Sequence, residues 1–339
     1  MSMNWLALDI GGANIKVADG LGFARSYTFP LWKDSASLAQ RIRTILSESP
    51  AADHLAVTMT GELADCFASK ADGVRFILDA VAQGADNRHT RVYLVDGRLV
   101  APQVAAESPE LAAASNWHAM ARFAGRFARE GAALLIDVGS TTCDIIPLID
   151  GTPAASGRTD TQRLLAGELI YTGVDRSPVC AVASSAPYRG QQCPFAQELF
   201  ATMRDVYVVL GKLPEDTLST ATADGRQASR TAAVTRLGRM FAADDTEFGP
   251  DDAIALAESV TQAQAALLAA GIRKVTQRMP HPPQRIILSG HGEFLASAAL
   301  DAASVTAARI SLSQELDPVR SRVGPAYALA VLAREGFTR

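Results

Sequence analysis

The sequence predicts an α/β protein of two lobes with a cleft between them, and three observations carry that reading. A strand, glycine turn, strand pattern within residues 4–30 restarts at 131–151. In both copies an aspartate and a glycine follow at the end of the first apolar run. The length, 339 residues with 48% apolar content, suits two ordinary cores and not three. The expected division is residues 1–129 for the first lobe and 130–339 for the second, with a last helix at 321–337 packing back on the first.

In the first lobe, WLALDIGG, NIKVADG and GFARSYTF alternate short apolar runs with glycine and asparagine and predict three strands of a meander. SLAQRIRTIL at 37–46 is helical by period. HLAVTMTG at 54–61 reads as a buried strand that delivers a loop at Gly61, with a helical region beginning near Glu62. A helix around 73–84, the strand RVYLVDG at 91–97 and a helix around 115–129 complete the lobe. GAALLIDVG at 131–139, TTCDIIPLI at 141–149 and the Asp150-Gly151 turn then repeat the opening order, a weak internal duplication. Helices are expected at 195–210, 229–242 and 250–278. RIILSG at 285–290 is a second buried run before the helix GEFLASAALDAA, and RVGPAYALAVLAREG closes the chain as a helix. No low-complexity linker separates the lobes.

Composition excludes several function classes. A formal charge of −4, with Lys and Arg dispersed, offers no field to recruit nucleic acid or an anionic membrane, which favours small-molecule partners. Cys66, Cys143, Cys180 and Cys193 lie far apart without a C-x-x-C pair and read as free thiols, not as a zinc or disulfide framework. The N-terminus runs straight into an apolar strand without the features of a secretory leader. No segment is expected to reach the roughly 20 apolar residues of a bilayer span. The expectation is a soluble, cytoplasmic protein, with a homodimer left open.

Two loops carry the chemistry. In DIGGAN at 9–14, Asp9 ends a strand, Gly11 and Gly12 make a tight turn, and Asn14 and Lys16 start the returning strand. Glycine there lets backbone N–H groups approach an anion without a Cβ in the way. Asp9 would hold magnesium, through water, since that ion prefers carboxylate plus phosphate oxygens to a full protein cage. DVGSTTCD at 137–144 repeats the logic: Asp137 for the metal, Gly139 for close approach, Ser140, Thr141 and Thr142 as donors, and Asp144 as a second carboxylate. One such turn merely closes a hairpin; two of them, a lobe apart, point to a clamp on one di- or triphosphate. A third element, LSGHGEF at 288–294, ends a strand at Ser289-Gly290 and has Gly292 before a helix. Its small residues would let a flat base rest against backbone. His291 at its tip reads as a surface residue.

At these residues the sequence resembles the actin, Hsp70 and sugar-kinase superfamily, with DIGGAN and DVGSTTCD similar to its two phosphate motifs and LSGHGEF to its adenosine motif. The resemblance runs through the whole chain and implies two ribonuclease-H-like lobes, Mg2+ in the cleft, and ATP as an open question. More narrowly, DIGGANIK, MTGEL, ASNW, DVGSTTCDIIPL, GELIYTGVDRSPVCA, RDVYVVLGKLPED and TADGR resemble the hydantoinase/oxoprolinase-related proteins of tetrahydromethanopterin-linked one-carbon metabolism. That resemblance implies a transferase of methanofuran or methylofuran biosynthesis. It would join γ-glutamyltyramine to an (aminomethyl)furan-methanol diphosphate, form an aryl ether and release pyrophosphate.

A phenol with a pKa of about 10 needs a carboxylate to take its proton, and Glu62, Asp144 and Glu168 are the candidates. Tyr171, Thr172, Gly173 and Arg176 are candidates for a substrate wall, and Arg163, Asp224 and Arg226 for contacts to substrate anions. Two positions depart from the family pattern: Ile15 stands where threonine is usual, and Cys143 replaces a third threonine in the second loop. A lost hydroxyl in each loop is expected to shift a metal water or a phosphate contact. The rival readings are an ATP-dependent sugar or acyl kinase and a non-catalytic nucleotide-binding regulator. The kinase reading lacks an aspartate base in the interloop segment ESPELAAASNW.

Overall fold

The protein is seen in a computed structural model that describes residues 4–336. Strands β1 (Trp5–Ile10), β2 (Asn14–Ala18) and β3 (Ala24–Thr28) form an antiparallel meander. On the other side of β1, β4 (His54–Met59) and β5 (His89–Tyr93) add in parallel, and β6 (Leu99–Val100) closes the edge antiparallel to β5. Parallel neighbours require crossover connections, supplied by the helices Leu38–Ser47 and Lys70–Gly84.

The second half builds the same device. Strands β7 (Ala132–Val138) and β8 (Cys143–Ile149) are antiparallel, with the short β9 (Thr152–Pro153) and β10 (Leu169–Ile170) on β8. A separate hairpin, β11 (Ser185–Tyr188) and β12 (Gln191–Pro194), precedes the helical stretch. Strands β13 (Arg285–Ser289) and β14 (Ala308–Ser311) then add in parallel to β7 after the crossover helices Pro250–Thr276 and Glu293–Ala302. The sheet orders are β3-β2-β1-β4-β5-β6 and β10-β8-β7-β13-β14. The internal duplication read from sequence is a duplication of topology, and the fold is α/β.

Strand period decides what each sheet faces. Leu6, Leu8 and Ile10 of β1 enter the core under the crossover helices, while Trp5 and Ala7 face the other way onto Leu329, Ala330 and Ala333 of the helix Gly324–Arg334. In β7, Leu134, Ile136 and Val138 enter the second core, and Ala133 and Leu135 face a layer shared with Trp117, Met120 and Tyr327. The helices Asn116–Ala124 and Gly324–Arg334 pack on each other in that shared layer, the latter also against β1, β2 and β4. With neighbours on all sides, the helix Gly324–Arg334 is apolar nearly all round, and residues 324–330 are all buried. Residue 337, at the end of the expected last helix, lies outside the described residues.

Three expectations need correction. The expected helix at 195–210 is only Met203–Val209, because Thr202 N–H donates to Asp205 Oδ2 at 2.9 Å and this cap starts the helix late. The helix Pro250–Thr276 is long and apolar enough to cross a bilayer. Its apolar positions, Leu256, Val260, Leu268 and Ile272 among them, instead pack into the second core, and its buried Gln264 bonds Tyr207 Oη at 2.5 Å. Finally, no helix begins at Glu62: residues 61–69 are turns, and the helix starts at Lys70 with Ser69 Oγ accepting from Asp72 N–H at 3.1 Å.

Glu62 is instead packed over Gly73, where a Cβ would lie 2.2 Å from the Glu62 carbonyl oxygen. Its side chain is 1% exposed and neither carboxyl oxygen has a hydrogen-bond partner. Burial pushes this carboxyl up to about 7, with the charge of Asp160 adding and that of Lys70 opposing. A carboxyl whose value is raised by folding holds extra protons in the native state. Its contribution therefore favours folding at acid pH and is lost as pH rises through about 7. Glu62→Gln should leave stability little changed at pH 5 and raise it by about 2–3 kcal/mol over the parent at pH 8, measured by urea unfolding. An equal difference at both pH values would show that the carboxyl is not held in an apolar setting.

Candidate active site

The same strand period that sends Ala7 and Ala133 toward the shared layer sends Asp9 and Asp137 there too, at the C-terminal ends of the two central strands. In the register of the hairpins, Asp9 lies opposite Lys16 on β2, and Asp137 lies opposite Asp144 on β8. Four charged side chains thus converge from two equivalent hairpins onto one cavity of about 440 Å³.

The loops joining each hairpin are built alike. Gly11 N–H donates to Asn14 O and Gly139 N–H to Thr142 O, both at 2.9 Å. The loop carbonyls are taken by flanking backbone: Gly12 O accepts from Leu31 and Ala13 O from Phe29, while Gly139 O accepts from Val174 and Ser140 O from Asp175 and Arg176. In a trans peptide the following N–H points opposite to the carbonyl, so Ala13, Ser140 and Thr141 turn their N–H groups away from those segments. A Cβ at Gly12 would meet nothing within 4 Å, and one at Gly139 only Thr142 O at 3.7 Å; the glycines face open space. Gly173 has the opposite job. A Cβ there would lie 2.5 Å from both Gly139 O and Thr141 N, so its bareness seats the second loop.

The two pairs differ in electrostatics. Asp9 is 3% exposed; Lys16 Nζ lies 3.8 Å from its Oδ2, while Oδ1 has no hydrogen-bond partner. Burial raises its carboxyl, with Lys16 and Asn116 opposing. Asp137 is pushed up to about 7 by burial first and by the neighbouring Asp144 charge second. Asp144 is also raised by burial, opposed by Arg163, which donates to Asp144 Oδ1 at 2.5 Å. Arg163 is itself 1% exposed and lies 4.3 Å over the Trp117 ring. Asp9, Asp65, Asp137, Asp144 and Asp160 line the cavity against Lys16, Arg163 and Arg176. So acidic a hollow admits an anion only with an added cation. Among the described residues no three His, Cys, Asp or Glu side chains form a ready metal cluster. The unpartnered Asp9 Oδ1 and the crowded Asp137–Asp144 pair therefore fit a hard divalent ion that completes its shell with water and ligand oxygens.

Of the residues expected to form the site, Asp9, Gly11, Gly12, Asn14, Lys16, Asp137, Gly139, Ser140, Thr141, Thr142 and Asp144 all line this cavity. Glu62 lies behind its neighbours Leu63 and Ala64, which do line it. Glu168 is not part of it: fully buried elsewhere, its carboxylate accepts from Ser156 N–H at 2.6 Å and Gly157 N–H at 3.0 Å and faces Arg278 at 3.6 Å, so it pins a loop and is no free base. Ser289 is buried beside Asp137 in the strand register, away from the lining. Gly290 lines a second cavity of about 370 Å³, together with His291, Arg204 and Phe294. The bareness of Gly290 and Gly292 serves strand packing, since a Cβ would lie 2.2 Å from Val138 O and 2.4 Å from Val138 Cγ1 respectively. His291 is no surface residue: Nε2 is buried without a partner, and burial holds the ring down to about 3.

Ile15 and Cys143 point into the two cores, so their missing hydroxyls do not bear on the loops. Asp224 binds the buried Arg236 at 3.0 Å with the exposed Arg226 beside it, and neither lines the cavity. Among the lining residues that sequence reasoning did not assign are Trp32, Thr60, Leu63, Asp65, Asn116 and Asp160. Thr60 and Asn116 sit inside the segments MTGEL and ASNW; Trp32 carries no local signal.

The profile of the hydantoinase/oxoprolinase family matches residues 53–331. A curated relative from Methanocaldococcus jannaschii, a (4-{4-[2-(gamma-L-glutamylamino)ethyl]phenoxymethyl}furan-2-yl)methanamine synthase, is 31% identical over 339 residues, 99% of each chain. The protein of the same name from Methanococcus vannielii is 28% identical over 205 residues, 59% of this chain and 90% of that one. Among solved structures, the PilM–PilN type IV pilus biogenesis complex aligns with a TM-score of 0.48 and 13% identity, covering 98% of this chain and 99% of that one. The ROK hexokinase from Thermus thermophilus aligns with a TM-score of 0.44 and 14% identity, covering 98% and 100%. With the profile spanning most of its length and a full-length relative at 31% identity, the chain belongs to the hydantoinase/oxoprolinase family.

Proposed function

We propose that this protein is a synthase that builds the aryl ether of (4-{4-[2-(γ-L-glutamylamino)ethyl]phenoxymethyl}furan-2-yl)methanamine. It joins the phenol oxygen of γ-glutamyltyramine to the furanylmethyl carbon of an (aminomethyl)furan-methanol diphosphate and releases pyrophosphate, a transferase step in methanofuran or methylofuran assembly. The full-length relative of that name supports the reading. The observation that carries it is the convergence of two equivalent glycine loops, Gly12 and Gly139 both bare toward open space, on one cavity.

In this proposal the diphosphate lies on the cavity floor, with the Ala13, Ser140 and Thr141 N–H groups, the Thr141 and Thr142 hydroxyls and Lys16 as its partners. The carbon–oxygen bond to the leaving group breaks, its electron pair departs with pyrophosphate, and the furan ring oxygen shares the positive charge left on the methylene carbon. The donors act where negative charge builds, on the leaving oxygens. Magnesium, held by Asp9 and Asp137 through water, would supply further charge neutralisation there. The phenol oxygen then bonds to the carbon and loses its proton to Asp144. That carboxylate faces the cavity, whereas Glu62 does not, and geometry ranks ahead of proton affinity in choosing a base. Arg163 opposes the upward push of burial on Asp144 and fixes that carboxylate's direction. ATP is a competitor for the cradle in this scheme and not a reactant. The free thiols of Cys66, Cys143, Cys180 and Cys193 support a cytoplasmic setting.

Two measurements of pyrophosphate release, one of pyrophosphate binding and one of stability bear on the scheme. Asp9→Ala and Asp137→Ala proteins, folded by circular dichroism, should each lose about 10²–10³-fold in kcat/KM; full activity in both would remove their assigned roles. Asp144→Asn should lower kcat by about 10²–10⁴-fold, and an unchanged kcat would move the base elsewhere. Gly12→Ala and Gly139→Ala should unfold like the parent yet bind pyrophosphate with Mg2+ at least about tenfold more weakly, because a methyl group would occupy the anion's place. Gly173→Ala should be destabilised outright, since its methyl would press on the second loop.

A further inference from the structure

The mouth of the cavity holds a contact that spans the two halves of the chain. Trp32 follows Leu31, whose N–H is bonded to Gly12 O of the first glycine loop, and Arg176 N–H is bonded to Ser140 O of the second. The two side chains meet, with the guanidinium carbon 4.6 Å from the Trp32 ring centroid. Around them Leu63 is 54% exposed and Tyr171 61% exposed, large apolar groups left open at the rim of a polar hollow. Of the three cations lining that hollow, Lys16 faces Asp9 and Arg163 is paired with Asp144. Among the described residues Arg176 is paired with no carboxylate; its guanidinium rests on an aromatic ring that a flat ligand can share or take over.

Resting on the aryl-ether reading, we infer that Trp32 and Arg176 form the acceptor subsite, the indole face taking the phenol ring and the guanidinium the carboxylate of the glutamyl end. The glycine loops hold the diphosphate on the floor, so the attacking phenol approaches the furanylmethyl carbon from the mouth, where Trp32, Tyr171 and Leu63 offer the apolar surface its ring needs. The acceptor tail then runs outward past Arg176, which exchanges a weak ring contact for a charged, two-pronged one. Both residues touch substrate in this assignment and set its specificity; neither takes part in bond exchange.

The experiment measures pyrophosphate release from the furan diphosphate with γ-glutamyltyramine, and with tyramine, which lacks the carboxylate, as acceptor or competitive inhibitor. Arg176→Ala should raise KM for γ-glutamyltyramine by about 10–100-fold while changing the tyramine constant and the KM of the furan diphosphate by less than about twofold. Trp32→Ala should raise the constants of both acceptors by about tenfold, and Trp32→Phe, which keeps a ring, by less than about threefold. A rise in the KM of the furan diphosphate on Arg176→Ala, or acceptor constants unmoved in Trp32→Ala and Arg176→Ala, would overturn the subsite while leaving the reaction standing. A parent protein that releases no pyrophosphate with either phenol would overturn the reaction itself and the subsite with it.

Discussion

Each central strand of this protein is buried on both faces and carries an aspartate one residue before its end, and that constraint organises everything around it. Asp9 and Asp137 share the face that packs on the two helices between the sheets, so neither carboxylate can reach bulk water except through the cleft. Burial raises both groups, in Asp9 against the opposing charge of Lys16. A fold that keeps charge in such a position destabilises itself, and the proposed scheme offsets that cost with a cation on the floor.

Duplication of the hairpin explains how the site is assembled, and divergence explains how its halves differ. Gly11–Asn14 and Gly139–Thr142 close the same turn, and the facing pairs occupy the same register. In the first half the pair is Asp9 and Lys16, a carboxylate with its counter-ion; in the second it is Asp137 and Asp144, two like charges. Arg163 offsets only one of those two, holding Asp144 and stacking on Trp117 from the interlayer helix. One half is thus pre-balanced and the other is short of a cation, which gives the cavity a sense of direction that two identical loops would lack.

Contacts across the cleft give the mouth its own character. Lys70 and Asp160, each at the start of a helix in a different half of the chain, approach to 3.5 Å, and Trp32 meets Arg176. These partly exposed contacts are weak individually. Below them, the helices Asn116–Ala124 and Gly324–Arg334 are packed against both sheets through a continuous apolar layer. The floor is therefore seated on a packed layer and the rim on weak contacts, which in the proposed scheme lets substrates enter without disturbing the diphosphate's donors.

The amino-acid sequence by itself determined the two hairpins, the crossover helices and the glycine loops, because those features are local: strand period, bare glycines and a terminal aspartate are written in adjacent residues. It also named Asp144, as one of three candidate carboxylates beside Glu62 and Glu168; the register that sets Asp144 opposite Asp137 came with the fold. Tertiary structure alone decided the rest. Glu168 looked like a site carboxylate until the 154–157 loop folded over it and took both its oxygens. The glycines at 290 and 292 looked like room for a ligand until β13 was laid against β7, whose Val138 fills that room. Trp32 had no signal at all, because its importance lies in a partner, Arg176, in a loop of the other half of the chain. Side-chain direction and long-range apposition depend on how two sheets close on a common layer, and no window of neighbouring residues contains that information.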